Sequence, residues 1–283
     1  MYYKERKGGK QLSYLEYKGK KVYYETYGQG KPLILLNGIM MSTASWGIFI
    51  DVFSKNNQLI LLDFLDQGRS DKMEGISYTQ DEQVEVLKAL LENINISKIN
   101  IVGISYGGEV ALGFAVKYQQ YIEKLILFNT TAKTSSWLRD IGTGWNRSAN
   151  DALDYYCTTI PVIYSPRFYN EKSEWMDKRK TLLTENVFNQ KPFMDSMVRL
   201  TDSAEQHNVV DKLSDIKVPT LIVCCENDYV TPMAEQKQLN ELIKGSELVM
   251  LPNTGHASMY ERPAVFASLV LGYINLEQTE FII

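Results

Sequence analysis

Ser105 sits in Gly103-Ile104-Ser105-Tyr106-Gly107-Gly108, between the apolar run KINIVGI (98–104) and a segment, 107–120, with helical spacing. This is a GxSxG strand–turn–helix. Glycines two before and two after the serine let neighbouring backbone approach a sharp, strained turn. The turn projects the hydroxyl above a sheet, with a helix N-terminus behind it to favour developing negative charge. A serine hydroxyl is a weak nucleophile at neutral pH, so it needs a base, and the base needs an orienting carboxylate. The chain has two histidines. His256 lies in LPNTGHASMYERP, directly after the last apolar run, whereas His207 lies in the polar stretch TDSAEQHNVVDKL and reads as a surface or helix-end residue. The carboxylate should leave the end of an earlier run, and PTLIVCCENDYVTP offers Asp228 and Glu226. Asp228 is preferred because it lies past the run, in a loop closed by Pro232; Glu226 comes second and Asp202 third. Acyl transfer also needs donors for an oxyanion. The expected donors are the backbone N–H groups of Tyr106 and of Ile39, the latter in Asn37-Gly38-Ile39-Met40-Met41.

The elements that must hold these residues follow from hydrophobic patterning. Short continuous apolar runs at 33–37, 58–64, 98–104, 123–129, 219–226 and 246–251 read as strands covered on both faces by helices. The segments QLSYLEY (11–17) and KKVYYETY (20–27) alternate around a glycine and predict an antiparallel hairpin. Residues 79–95 place Val84, Leu87, Leu91 and Ile94 three or four apart, with acids in the first turn, which predicts an amphipathic helix. Segments 107–120, 233–243 and 262–275 also read as helices. Strands alternating with helices predict an α/β fold around a mainly parallel sheet. Residues 132–212 break the alternation: they hold no clear strand run and are rich in Trp, Tyr and Phe. They read as a mostly helical insertion over the sheet.

Composition excludes several classes. The chain has 283 residues, 45% hydrophobic and 23% charged, ordinary for a globular protein and too apolar for a disordered one. A net charge of −4, without a basic stripe, argues against nucleic acid as a partner. The basic cluster Lys4–Lys10 reads as a solvated terminus. Three cysteines do not make a disulfide framework, and the adjacent Cys224 and Cys225 read as small buried side chains. With two histidines and no CxxC or HExxH, no metal site is expected. No apolar run reaches the roughly 18 residues that span a bilayer, and the N-terminus lacks the apolar core of a signal peptide. A cytoplasmic protein with no membrane partner is the expectation.

Taken together, the motifs resemble the α/β-hydrolase superfamily, and more narrowly its cofactor-free serine hydrolase branch with a helical cap. The resemblance runs from about residue 20 to residue 276. NGIMMSTASW (37–46) stands in the place of the oxyanion loop, DFLDQGRSD (63–71) in that of an Asp-x-x-Gly-x-Gly-x-Ser-Asp stretch, and GISYGG in that of the nucleophile elbow. VPTLIVCCENDYVTP resembles the acid loop and LPNTGHASMYERP the histidine loop. The resemblance implies an eight-stranded, mainly parallel sheet. It implies a core of 1–131 and 213–283 with a cap at 132–212, and a triad in the order Ser105, Asp228, His256. It also implies a mostly apolar pocket under the cap, for which Met40, Met41, Trp137, Trp145, Tyr155 and Tyr156 are the expected lining. No metal or organic cofactor is implied. The expected activity is hydrolysis of an ester, thioester or lactone of a small acyl substrate. The same fold and triad also support C–C bond hydrolysis and acyl transfer, and some members act as ligand sensors with little turnover. Two positions depart from the family pattern. Asn37 replaces the usual His of the oxyanion loop. Leu65-Asp66-Gln67 stands where a glycine and often a histidine would, and is expected to be a structural turn.

Overall fold

A computed structural model describes residues 11–276; the basic Lys4–Lys10 segment lies outside the described residues. Eight strands form one sheet in the order β1-β2-β4-β3-β5-β6-β7-β8. They are β1 Gln11–Tyr17, β2 Lys20–Tyr27, β3 Lys31–Leu36, β4 Asn57–Leu62, β5 Ile99–Ile104, β6 Ile122–Phe128, β7 Thr220–Cys225 and β8 Glu247–Leu251. The hairpin β1–β2 is antiparallel and β2 meets β4 antiparallel. All remaining pairs are parallel. Every residue of β5 and β7 is buried. Their unbroken apolar runs follow from that cover on both faces. At the edge, β8 buries Leu251 alone.

Helices α1 (Ile50–Ser54), α2 (Gln80–Asn93) and α3 (Tyr106–Tyr118) connect the central strands. Helix α2 buries Val84, Leu87 and Leu91, the stripe set by their spacing, and packs on α3. Five helices then lie between β6 and β7: α4 (Ser136–Ser148), α5 (Ala152–Ile163), α6 (Pro166–Glu171), α7 (Ser173–Asn186) and α8 (Lys191–Ala204). The one pairing of strand type in this stretch is the isolated bridge Lys133–Asn208, where the inserted chain leaves and rejoins the sheet. After β7 come α9 (Met233–Leu242), α10 (Ser258–Glu261) and α11 (Pro263–Asn275). Helix α11 packs on α1 through an aromatic cluster of Trp46, Phe49, Phe53 and Phe266, with ring centroids 5.1–6.2 Å apart. No helix among the described residues is long and apolar enough to cross a membrane.

Candidate active site

Ser105 occupies the single residue between β5 and α3, at φ 52° and ψ −121°. A non-glycine residue in this region is strained. The turn is held from both sides. Ser105 N–H donates to Phe128 O at 3.0 Å, and Ser105 O accepts from the N–H groups of Gly108 and Glu109 and from Thr130 Oγ1 at 2.8–3.0 Å. The glycines are set by contact: a Cβ at Gly103 would lie 2.6 Å from Gly107 O, and one at Gly107 would lie 2.4 Å from Leu36 O. A side chain at either position would push α3 off the sheet.

His256 Nδ1 meets both carboxylate oxygens of Asp228 at 2.9 and 3.0 Å. Asp228 is 3% exposed and collects further donors: the N–H groups of Val230 and Thr231, Thr231 Oγ1, and Asn129 Nδ2 at 2.8 Å. Burial by itself would raise this carboxyl. The His256 imidazole and the donors outweigh burial and hold it below the usual carboxylate range. Asn129 follows β6 at φ 50°, and its Oδ1 accepts from Ser258 Oγ at 2.8 Å, which ties the Asp228 loop to the segment after His256. The histidine loop also touches the insertion. Gly255 lets Ser165 approach so closely that a Cβ would lie 2.4 Å from its N–H nitrogen, and Ala257 N–H donates to Ile163 O at 3.0 Å. Glu226 instead accepts from Asn253 N–H at 2.8 Å, and Asp202 from Asn146 at 2.7 Å. Neither meets His256. His207 faces Thr131 O at 3.1 Å, and burial pushes its imidazole down to about 4, so it is neutral at pH 7.

Among the described residues the backbone N–H groups of Ile39 and Tyr106 donate to no protein group. The Ile39 loop lies against Ser105, since a Cβ on Gly38 would be 3.7 Å from Ser105 Cβ. It is braced by residues from the departing stretch. Gln67 Nε2 donates to Gly38 O at 2.9 Å and to Ile39 O at 3.3 Å. Asn37 Nδ2 donates to Leu62 O at 2.7 Å and Gln67 Oε1 at 3.0 Å, and Asn37 Oδ1 accepts from Trp46 Nε1 at 2.7 Å. Asn37 thus uses all of its side chain to order the loop. Spacing alone gives no signal for the bracing role of Gln67, because Asn37, Gly38 and Ile39 lie 28–30 residues away.

A cavity of about 120 Å³ opens on Ser105, Tyr106, Ile39 and Thr231, and is closed by residues of α4 and α8 that include Leu138, Trp145 and Thr201. Thr231 Oγ1 is 3.4 Å from His256 Nδ1, which places the His–Asp pair at the edge of this cavity. Of the expected lining residues, Trp145 is on the wall; Met40, Met41, Trp137, Tyr155 and Tyr156 are not among its residues. Tyr155 and Tyr156 are buried within the insertion, Tyr155 against Phe188 at 5.0 Å. Trp137 is 55% exposed and donates to Tyr229 O. Cys224 and Cys225 are buried and free. Among the described residues no cluster of His, Cys, Asp and Glu is placed to hold a metal ion.

A serine at the tip of a central parallel strand, with an Asp–His pair on loops after later strands, defines the architecture of an α/β hydrolase. The chain belongs to the alpha/beta hydrolase fold family, whose pattern matches residues 31–263. The crystal structure of MGS-M2, an alpha/beta hydrolase enzyme from a Medee basin deep-sea metagenome library, is 50% identical, with a TM-score of 0.94 over 96% of this chain and 100% of that one. A 2-hydroxy-6-oxononadienedioate/2-hydroxy-6-oxononatrienedioate hydrolase of Escherichia coli is 25% identical over 90% of this chain and 91% of its own. The structure of Est816, described as an N-acyl homoserine lactone degrading enzyme, is 25% identical with a TM-score of 0.80, covering 92% of this chain and 100% of that one.

Proposed function

We propose that this chain is a serine hydrolase that cleaves an ester, thioester or lactone of a small, mostly apolar acyl substrate. The observation that carries this reading is the strained Ser105 on the wall of a cavity whose edge holds the Asp228–His256 pair at 2.9 Å. In the mechanism, Ser105 Oγ attacks the carbonyl carbon while His256 Nε2 takes its proton. Asp228 fixes the imidazole by its Nδ1–H and stabilises the imidazolium that forms. The Ile39 and Tyr106 N–H groups, free of protein acceptors, receive the oxyanion. His256 then protonates the leaving group, and in the second half-reaction it draws a proton from water that attacks the acyl-enzyme. The inserted helices act as a cap that sets acyl size.

Two relatives favour different leaving groups. The lactone-degrading enzyme supports C–O cleavage, and the E. coli hydrolase supports a second reading, hydrolysis of a 6-oxo dienedioate-type substrate. Steady-state hydrolysis of p-nitrophenyl esters from acetate to laurate tests the first. Short chains should be preferred, and Ser105→Ala should lower kcat by at least about a thousandfold with an unchanged melting temperature. Turnover in that variant comparable to the unaltered enzyme would refute the assignment. Silence on every ester together with turnover of oxo-dienoates would move the reading to the second.

A further inference from the structure

Glu109 lies one helical turn past the nucleophile, its N–H bonded to Ser105 O at 3.0 Å, and is 5% exposed. Its side chain is a wall shared by two cavities: the one of about 120 Å³ on Ser105, and a second of about 340 Å³ between α2, α3 and the end of α8. Oε2 accepts from Gln80 Nε2, and Oε1 has no protein partner among the described residues. No cation among the described residues answers this carboxyl. Glu235 on α9 repels it. On the nucleophile's side stand Asp202, Glu205 and Arg139, the last directed at Glu205 at 4.0 Å. On the other side stand the neutral His207, Asp81, Lys212 and Lys117, and Lys117 is taken by Asp81 and Glu85 at 3.1 and 3.4 Å.

We propose that Glu109 is a specificity-determining residue: its carboxyl presents a hydrogen-bond donor to the nucleophile's cavity and selects substrates carrying a neutral acceptor oxygen, such as a ketone, apart from the carbonyl that Ser105 attacks. Gln80 belongs to the wall of the second cavity and not to that of the first. The oxygen it holds is therefore on the far side, and Oε1 is the one left to the nucleophile's cavity. Because Oε2 accepts a hydrogen bond, it serves as the carbonyl oxygen and the proton belongs on Oε1. Burial, reinforced by Glu235, pushes this carboxyl up to about 8, so the proton is present at neutral pH. Oε1 is not one of the enclosed polar atoms left without a partner; it keeps access to the open space of the cavity, so a substrate oxygen takes its hydrogen bond in place of solvent. A substrate carboxylate would meet Asp202 and Glu205 instead, so the acceptor is uncharged. This rests on the serine hydrolase reading for the identity of the attacked carbonyl.

The test separates binding from turnover. Calorimetry on Ser105→Ala compares ethyl alkanoates with ethyl oxoalkanoates whose keto oxygen is stepped from the third to the sixth carbon. One oxo isomer should bind about tenfold more tightly than its unsubstituted partner, the worth of one hydrogen bond. Adding Glu109→Leu should abolish that ratio, and adding Glu109→Gln, which keeps a donor, should retain it. Raising the pH from 7 to 9 should erase the ratio with Glu109 present and leave it unchanged with Glu109→Gln. That contrast does not require the leucine variant to fold, and packing alone would not produce it. Equal binding of every pair, or a ratio indifferent to Glu109→Leu, overturns the proposal. A binding preference that holds while the unaltered enzyme turns over none of the esters refutes the ester-cleaving reading and leaves the role of Glu109 standing.

Discussion

Asp228 is an anion with almost no access to water, and what keeps it an anion is a set of neighbours. Asn129 Nδ2 and Thr231 Oγ1 each donate to Oδ2, at 2.8 and 2.9 Å. Hydrogen bonds to charged groups contribute about 1.5–3 kcal/mol each. Asn129→Ala should therefore lower kcat by roughly ten- to a hundredfold while KM stays near its original value, because the loss falls on the imidazolium of the transition state. Steady-state kinetics read this directly, and an effect confined to KM would argue that Asn129 acts on the cavity instead. Glu109 gives a prediction of opposite character. Its carboxyl is raised to about 8 in the folded chain from an ordinary value of 4.5. As pH rises through that window the unfolded chain ionises first and binds fewer protons, so folding stability falls. Glu109→Gln cannot ionise. Its melting temperature should exceed that of the unaltered protein by a margin that grows from pH 5 to pH 8; a margin independent of pH would contradict a buried, protonated carboxyl.

At the scale of elements, α3 owes its close seat on the sheet to glycine. A Cβ at Gly107 would lie 2.4 Å from Leu36 O and 2.6 Å from Asn37 O, both backbone atoms at the root of the Ile39 loop. Gly107→Ala should cost about 1–3 kcal/mol or more in urea unfolding and remove most turnover. Gly144 in α4 faces open space, with no atom within 4 Å of where a methyl group would stand, so Gly144→Ala should be neutral or stabilise by up to about 1 kcal/mol. All eight strands and helices α2, α3, α9 and α11 were legible as apolar runs, alternation and spacings, because a covered parallel sheet leaves little freedom in which residues fill it; α1 and α10, of five and four residues, are too short to show a period. The edges shift by a residue or two. For example, the run 123–129 ends at Phe128 because Asn129 turns to φ 50°. What patterning did not convey is which face of an inserted helix meets the cavity. The aromatic residues of 132–212 stand out in the sequence, yet Tyr155 fills the interior of the insertion against Phe188 and Trp145 lines the cavity. Gln67 and Glu109 were likewise invisible, since their significance lies in contacts with chain far away in sequence.

At the scale of the whole molecule, an ion pair joins the sheet to the inserted helices. Asp66 sits in the turn after β4 at φ 71°, a conformation that favours glycine, and its carboxylate is buried. It accepts from Met73 N–H at 3.0 Å, Tyr78 Oη at 2.9 Å and Arg199 Nε at 3.1 Å, with Arg199 projecting from α8 133 residues further along the chain. The neighbouring Gln67 braces the Ile39 loop, and Thr201 and Asp202, on the same helix as Arg199, line the cavity. A residue that tolerates backbone strain in order to bury a charge is best explained by docking: the pair fixes where α8 stands over Ser105. Arg199→Met leaves the carboxylate buried without its cation and should cost about 3–5 kcal/mol. In Asp66→Gly/Arg199→Met both charges are gone and the strained turn has its preferred residue, so part of that loss should return, the rest remaining with the Met73 N–H and Tyr78 Oη donors that lose their acceptor. Urea unfolding of the four proteins gives the coupling energy, and simple additivity would show that the two residues do not act together. Kinetics on the double variant separate fold from function. With stability partly restored but α8 no longer anchored, KM should rise several-fold while kcat changes little, since Ser105, His256 and Asp228 all rest on the sheet and its loops. A KM unchanged in the double variant would mean that the inserted helices are positioned by their apolar packing alone.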